Sequence, residues 1–281
     1  MASQPPSTPP ESFSIISTLR YDPSIPTTIS NSATDIIYPD PKDSPYYLLR
    51  FHRDRLLNAA THFNWPKAID FLQRDTTQFA QFLDQSIPDR TKPWRLRIAL
   101  DSHGNCTVDV NPAAACSPRS LFIPQSVNFE TAEKQQFPPP WRLYLDTRPI
   151  KPSAFTTHKT TVREEYTSAR ERVGITSFVD PEEVLVFNPK GEVMEGSITT
   201  PYFRRRVEII DRGLGSDEDG VAWVTPPLSS GGNAGTTRRY ALETGFCVER
   251  VVRVDEIVDG EECWLSNGVR GFIRAVVVLR K

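Results

Sequence analysis

The sequence predicts an α+β protein with two domains. Strand-like runs follow one another as hairpins, a proline-rich stretch interrupts the middle of the chain, and 281 residues are enough for two modest domains. Apolar residues make up 38% and charged residues 24%, which is ordinary for a soluble globular protein. The net charge of -2 gives no electrostatic reason to expect a nucleic acid or membrane partner.

A first, smaller domain is predicted for residues 13–148, after a polar tail over residues 1–12 that we expect to be disordered. FSIISTLRYD alternates like a strand, and HRDRLLNAATHFNW has the composition of a helix, with further helical sequence after it. WRLRIALDSHGNCTVDV predicts a hairpin around turn-forming residues, and WRLYLDT adds a strand.

Prolines accumulate before residue 153, and we place an interdomain linker over residues 149–157 and a second domain over 158–281. TTVREEYTSARERVG predicts a helix closed by Gly174. EEVLVF and EVMEGSITTPYF predict a hairpin around NPKG, and an acidic loop, RGLGSDEDG, is expected to be exposed between the next two strands. A helix over Arg238–Thr244, the strand CVERVVRV and a final strand-rich stretch complete the domain.

The four cysteines form no CxxC pair and have no histidine-rich partner segment, so we expect no metal site and reduced thiols. The N-terminal tail lacks the basic start and apolar run of a secretory signal. No apolar run is long enough to span a membrane. These features favour a cytoplasmic protein.

Residues 229–245, SSGGNAGTTRRYALETG, resemble a phosphate-binding loop without its lysine. Three glycines lead into Thr236 and Thr237 at a helix start, where backbone N–H groups, a helix dipole and two hydroxyls can converge on one anion. It is not a nucleotide P-loop, which needs a lysine at position 236. The alternative is a glycine-rich turn with a threonine as an ordinary N-cap.

Two further residues could carry chemistry. Lys159 follows the linker, where burial between domains would lower the pKa of its amine and favour Schiff-base formation. Glu195 lies at a strand position flanked by apolar residues and could act as acid, base or partner to a ring nitrogen. The alternatives are a solvated lysine and an exposed strand-edge carboxylate.

Six segments, taken in order, resemble the class IV pyridoxal-phosphate enzymes. This family includes branched-chain and D-amino-acid aminotransferases and 4-amino-4-deoxychorismate lyase, and the similarity is greatest to the lyase branch. The resemblance covers roughly residues 13 to 275, and its blocks are FSIISTLRYD, RFHRDRLLNAA, HKTTVREEY, VMEGSITTPYF, WVTPPLSSGGNAGTTRRYALETG and WLSNGVRGF.

The resemblance implies a smaller N-terminal α/β domain, a larger C-terminal pseudo-barrel domain and pyridoxal 5'-phosphate in the cleft between them. By this resemblance Lys159 binds the cofactor covalently and carries protons, and Glu195 binds the pyridine nitrogen. Arg55 meets the phosphate together with Thr236 and Thr237. A homodimer is also implied.

The chain departs from the family's aminotransferases at two places. These usually have a tyrosine shortly after the lysine, at the cofactor's phenolic oxygen, whereas the nearest tyrosine here is Tyr166. After the glutamate they often have an asparagine and an apolar pair, whereas this chain has TPYF. Arg20 and Arg270 could bind a substrate carboxylate, with salt bridging within the fold as the alternative for both.

The resemblance implies a lyase that converts 4-amino-4-deoxychorismate to 4-aminobenzoate and pyruvate for folate synthesis. Two alternatives stay open. One is a transaminase, which would share every cofactor residue and need both an amine and a keto acid. The other is a non-catalytic paralogue, although such a protein has no use for the carboxylate at Glu195.

Overall fold

The computed structural model describes residues 12–31, 36–114, 116–124, 138–207 and 220–279. The predicted tail, apart from residue 12, and the predicted acidic loop, apart from residue 220, lie outside these ranges. The strands are β1 (Ile15–Tyr21), β2 (Trp94–Leu100), β3 (Cys106–Pro112), β4 (Trp141–Leu145), β5 (Glu182–Phe187), β6 (Val193–Gly196), β7 (Thr200–Arg206), β8 (Val221–Thr225), β9 (Cys247–Glu249), β10 (Glu262–Asn267) and β11 (Gly271–Val278). The helices are α1 (Ser24–Ser30), α2 (Leu49–His62), α3 (Pro66–Leu72), α4 (Thr76–Asp84), α5 (Ala154–Thr157), α6 (Glu164–Arg172) and α7 (Thr236–Glu243).

The first unit is a three-stranded antiparallel sheet in the order β1-β2-β3, covered by α2, α3 and α4. The predicted hairpin is present, with Leu100 opposite Cys106 at its closed end. Alternation along β2 buries Leu96, Ile98 and Leu100 in one core with the apolar faces of the helices. That core fixes α2 against β1, and α2 carries Arg55.

The second unit is an eight-stranded sheet in the order β6-β5-β4-β11-β10-β7-β8-β9. Its apolar core includes Leu143, Leu185, Phe203 and Leu265. The predicted hairpin of β5 and β6 is present, and β7 pairs with β8 as expected. EVMEGSITTPYF forms two strands rather than one, because the chain turns at residues 197–199 and β7 pairs with β10.

Strand β4 marks a difference from the sequence interpretation. The sequence places it in the first domain, whereas it pairs in parallel with β5 and with β11 of the larger sheet. Its alternating pattern alone did not identify its neighbours, because the partner strands lie about 40 and 130 residues further along the chain. The larger sheet therefore begins before the predicted linker.

Helix α6 ends as predicted, with Gly174 at a positive φ of 77°. Helix α7 begins at Thr236, two residues earlier than predicted, so both threonines of the glycine-rich loop belong to its first turn. The strand predicted for CVERVVRV is limited to β9. Within the described ranges, no helix is both long and apolar enough to cross a bilayer.

Candidate active site

Lys159 lies where the two units meet. Its backbone carbonyl accepts a 2.8 Å hydrogen bond from the N–H of Ile16 in β1, and the N–H of Thr161 donates to the carbonyl of Ser14. The short helix α5 precedes the lysine and is capped by Ser153, which accepts a hydrogen bond from the N–H of Phe155. The segment that carries Lys159 is thus bound by main-chain hydrogen bonds to the smaller unit.

The amine of Lys159 is surrounded by protein and by positive charge. Burial, and then the guanidinium groups of Arg163 and Arg55, lower the pKa of Lys159 well below that of an exposed lysine. Among the residues that the structure describes, none forms a hydrogen bond or ion pair with its Nζ. An unengaged amine with a lowered pKa is a better nucleophile and proton acceptor than an exposed lysine.

Glu195 is held by groups from two other elements. The hydroxyl of Tyr166, in α6, donates a 2.5 Å hydrogen bond to its Oε1, and the backbone N–H of Asn233 donates a second. Burial raises the pKa of Glu195 to about 7, although the hydrogen bonds and the charges of Arg163 and Lys159 act in the opposite direction. The carboxylate is therefore oriented and close to its titration point at neutral pH.

A buried network fixes the turn that follows Glu195. Glu183, fully buried in β5, accepts hydrogen bonds from Ser197 Oγ at 2.5 Å, Thr199 Oγ1 at 2.8 Å and the N–H of Ile198 at 3.0 Å. The guanidinium of Arg170 donates to the same Ser197 Oγ at 3.0 Å. Because these partners satisfy the buried carboxylate, strand β6 ends in a defined position.

The glycine-rich loop packs directly on the strand that carries Glu195. A Cβ at Gly232 would lie 2.5 Å from the carbonyl oxygen of Met194, and one at Gly231, whose φ is 104°, would lie 2.6 Å from Pro152. Only glycine fits these positions. The loop ends at Gly235, the N-cap of α7, which supplies no side-chain cap to the helix. The first N–H groups of α7 are therefore available to an anion.

The hydroxyls of Thr236 and Thr237 lie in the first turn of α7, and both residues are buried. Thr237 Oγ1 accepts a 2.8 Å hydrogen bond from Ser266 in β10. Thr236 Oγ1 lies 3.3 Å from Nε2 of His52 in α2. The two threonines predicted to bind phosphate thus lie at a helix N-terminus, which we call the phosphate cup, and their hydroxyls contact both units.

Arg55 is the residue predicted to supply the cation that the loop lacks. It lies on the same helix as His52, and its Nη2 donates a 2.5 Å hydrogen bond to Ser17 Oγ in β1. Its Nε is buried without a partner in the part of the chain that the structure describes. Burial lowers the pKa of Arg55 to about 10, so the group stays charged at neutral pH and has a donor to spare for an anion.

Arg20 and Arg270 have different surroundings. Arg20 is buried, and its Nε forms a 2.8 Å ion pair with Asp22 while its Nη1 donates to the carbonyl of Ala114. This ion pair is the salt bridge within the fold that the sequence analysis gave as the alternative to substrate binding. Arg270 is partly accessible and donates to the carbonyl of Phe178, with its guanidinium 5.1 Å from the ring centroid of Trp141. Binding of a substrate carboxylate by Arg20 or by Arg270 remains a prediction.

Sequence interpretation missed two contributors and left a third undecided. Arg163 lies 4.2 Å above the ring of Tyr166 and donates to the carbonyl of Ser197, and His52 joins Ser17 to Thr236. Tyr166, whose role was undecided, contacts the carboxylate of Glu195. A signal for His52 was available, because it lies one helical turn before Arg55 and shares its face.

The sequence of the chain is similar to a known family and to a curated protein. Residues 42–278 match the family model of amino-transferase class IV. The aminodeoxychorismate lyase of Saccharomyces cerevisiae is 34% identical over 147 residues, which are 49% of this chain and 37% of that protein, so the match spans little more than a third of the relative.

Two solved structures have the same fold. The 4-amino-4-deoxychorismate lyase from Pseudomonas aeruginosa is 17% identical, with a TM-score of 0.56 over 95% of this chain and 83% of its own. A hypothetical aminotransferase from Mycobacterium tuberculosis in its PLP-bound form is 17% identical, with a TM-score of 0.54 over 94% and 81%. The family model covers most of the chain, and the fold confirms the resemblance found in the sequence. The chain belongs to the class IV aminotransferase family of pyridoxal-phosphate-dependent enzymes.

Proposed function

We propose that this enzyme is an aminodeoxychorismate lyase, which converts 4-amino-4-deoxychorismate to 4-aminobenzoate and pyruvate. The chemical step is supported by one observation above all: the amine of Lys159 is unengaged, with a lowered pKa, in the same site as the oriented carboxylate of Glu195. The choice of substrate is supported by the 34% identity to the Saccharomyces cerevisiae lyase.

The residues of the site fit pyridoxal phosphate. Arg55, with its unpartnered Nε, and the N-terminus of α7 with Thr236 and Thr237 would hold the phosphate. Glu195 would hold the pyridine nitrogen, and Lys159 would bind the aldehyde carbon. When bound, the cofactor supplies an electron sink that stabilises negative charge on the substrate carbon bearing the amine.

Lys159 performs the proton transfers. Once the substrate amine has replaced it on the cofactor, the freed Nζ would remove the proton from the substrate ring carbon that bears nitrogen. Glu195, as a carboxylate, would keep a proton on the pyridine nitrogen, and the hydrogen bond from Tyr166 favours the ionised form of Glu195. The bond between the ring and the enolpyruvyl oxygen then breaks. The departing group takes up one proton to leave as pyruvate, which balances the proton removed, and the ring becomes aromatic.

The lyase needs one substrate, and this property provides the test. Purified protein should release pyruvate from 4-amino-4-deoxychorismate without any keto acid, in amounts equal to the 4-aminobenzoate formed. Lys159→Ala should abolish the release. Turnover that requires both an amine and a keto acid would contradict the proposal and identify a transaminase.

A transaminase is the second candidate. It is supported by the likeness to the aminotransferase fold of the Mycobacterium tuberculosis protein, and it would use the same lysine and glutamate. The proposal also includes a homodimer, implied by the family resemblance and testable by sedimentation. It places the enzyme in the cytoplasm, where its four free cysteines would stay reduced and its product would serve folate synthesis.

A further inference from the structure

A chain of hydrogen bonds connects the two units beside the phosphate cup. Arg55 Nη2 lies 2.5 Å from Ser17 Oγ, Ser17 Oγ lies 2.7 Å from His52 Nδ1, and His52 Nε2 lies 3.3 Å from Thr236 Oγ1. Ser17 and His52 are both fully buried. No solvent reaches them, so the direction of each hydrogen bond is set by the chain itself.

Arg55 determines which atom donates in each hydrogen bond of this chain. A guanidinium can only donate, so Ser17 Oγ accepts from it. The Ser17 hydroxyl keeps its own proton, and the nitrogen of His52 is the acceptor within reach, because a buried hydroxyl proton left unpaired costs free energy. His52 Nδ1 therefore accepts, and the ring carries its single proton on Nε2. Burial and the nearby charges of Arg55 and Lys159 lower the pKa of His52, which keeps the ring neutral.

The position of the ring is fixed from the opposite side by Gly268. A Cβ added there would lie 2.6 Å from His52 Cε1 and 2.9 Å from the carbonyl oxygen of Thr18. The backbone thus approaches the imidazole as closely as glycine allows. A side chain at position 268 would displace the imidazole or strand β1, so Gly268 is required for this contact.

Thr236 connects the oriented imidazole of His52 to the phosphate cup. Its Oγ1 accepts from His52 Nε2, and it has no other partner among the residues that the structure describes. Its hydroxyl proton is therefore left to donate elsewhere. The neighbouring Thr237 Oγ1 likewise accepts from Ser266. The Thr237 hydroxyl also forms a hydrogen bond with Tyr202. Thr236 therefore supplies the O–H donor that is left over at this helix N-terminus.

We propose that His52 is a positioning residue for the phosphate of the cofactor, which acts as a neutral Nε2–H donor and fixes the Thr236 hydroxyl as a donor to that phosphate. The inference rests on the phosphate site assigned in the proposed function, and it is independent of whether the enzyme is a lyase or a transaminase. A neutral histidine has a specific advantage here. It orients the hydroxyl in one direction at every pH in the physiological range, whereas a protonated ring would also donate at Nδ1 and disrupt the bond from Ser17.

Binding to the apoprotein tests the inference without any turnover. The probes are pyridoxal phosphate and pyridoxal, which lacks the phosphate. His52→Phe and Thr236→Val should each weaken pyridoxal phosphate roughly tenfold, while the affinity for pyridoxal stays unchanged. The double variant should lose no more than either single variant, because both changes remove the same donor. The matched control combines Ser266→Ala with His52→Phe. These two changes act on different threonine hydroxyls, so their losses of pyridoxal phosphate affinity should add.

Three results would overturn the proposal. The positioning role would be excluded if the losses of pyridoxal phosphate affinity in His52→Phe and Thr236→Val were additive. An equal loss of affinity for pyridoxal would also exclude it. A ring nitrogen spectrum of the apoprotein that shows Nδ1–H, or protonation near pH 6, would do the same. If His52→Phe fails to fold, Ser17→Ala is used instead. Without the Ser17 hydroxyl, the imidazole of His52 should no longer be restricted to the tautomer that carries its proton on Nε2. If Arg55→Ala and Thr236→Val both leave the preference for the phosphate intact, the assigned phosphate site itself is wrong.

Discussion

The hydroxyl of Tyr166 donates a 2.5 Å hydrogen bond to Oε1 of Glu195, 29 residues further along the chain. The guanidinium of Arg163 covers the ring of the same tyrosine at 4.2 Å. This hydrogen bond lowers the pKa of Glu195, opposing the burial that raises it to about 7. The tyrosine therefore favours the ionised carboxylate at the pH where the enzyme would work.

Tyr166→Phe should shift the pH dependence of turnover. Loss of the hydroxyl removes a group that stabilises the carboxylate, so the pKa of Glu195 rises above 7 and the ionised form needs a more alkaline pH. We expect the acid limb of kcat to move to higher pH by about one unit, with turnover recovering above it. An unchanged acid limb would show that Glu195 does not control it.

Lys159→Met should abolish turnover and stabilise the apoprotein. The folded pKa of Lys159 is lower than its unfolded value, so between these two pKa values the unfolded chain binds more protons there. Stability therefore falls as pH drops from the unfolded pKa towards the folded pKa, and it changes no further below the folded pKa. Methionine removes that cost. The apoprotein's Tm should therefore exceed that of the wild type, most clearly at acidic pH. Lys151→Met, at an exposed lysine before α5, is the control and should leave both quantities unchanged.

Glu195→Gln should also stabilise the apoprotein, but this gain should grow as pH rises, whereas that of Lys159→Met grows as pH falls. The folded pKa of Glu195 is raised from 4.5 to about 7, so the folded state binds more protons between these values and its stability falls as pH rises through that window. The variant should gain about 1–3 kcal/mol relative to the wild type above pH 7 and little below pH 4.5. Urea unfolding of the apoprotein at the two pH values measures the difference.

Arg55→Ala should weaken pyridoxal phosphate binding by roughly tenfold to a hundredfold, because it removes a charged donor from the phosphate cup. Arg53→Ala is the matched control on the same helix. Arg53 donates to the carbonyl of Arg74 and pairs with Asp54, away from the cup. Equal losses in the two variants would indicate a general effect of helix charge.

Arg20 and Arg270 can be distinguished by what their removal changes. Arg20→Ala breaks a buried ion pair and should cost about 3–5 kcal/mol of folding free energy, with KM unchanged in the protein that folds. Arg270→Ala should leave Tm nearly unchanged and raise KM if the guanidinium binds a substrate carboxylate. A raised KM with Arg20→Ala at normal stability would reverse this assignment.

Local sequence patterns were sufficient for much of the molecule. The hairpin of β2 and β3 followed from alternation around a turn, and the loop and helix start at Thr236 followed from three glycines before two threonines. Both depend on residues that are close in the chain. The hydrogen bond between Tyr166 and Glu195 and the contact between His52 and Thr236, 184 residues apart, depend on how separate elements pack. Alternation does not encode that packing, and the same limit explains the misplaced strand β4.

The main-chain hydrogen bonds between β1 and the segment of Lys159 have a consequence for motion in this enzyme. Ile16 binds the carbonyl of Lys159 and Ser14 binds the N–H of Thr161, so the lysine's main chain is attached to the smaller sheet while Glu195 belongs to the larger one. Any change in the angle between the sheets would alter the spacing of these two groups. A rotation of one sheet against the other would therefore move the amine of Lys159 away from the carboxylate of Glu195, so the packing of the two sheets sets the spacing of these groups.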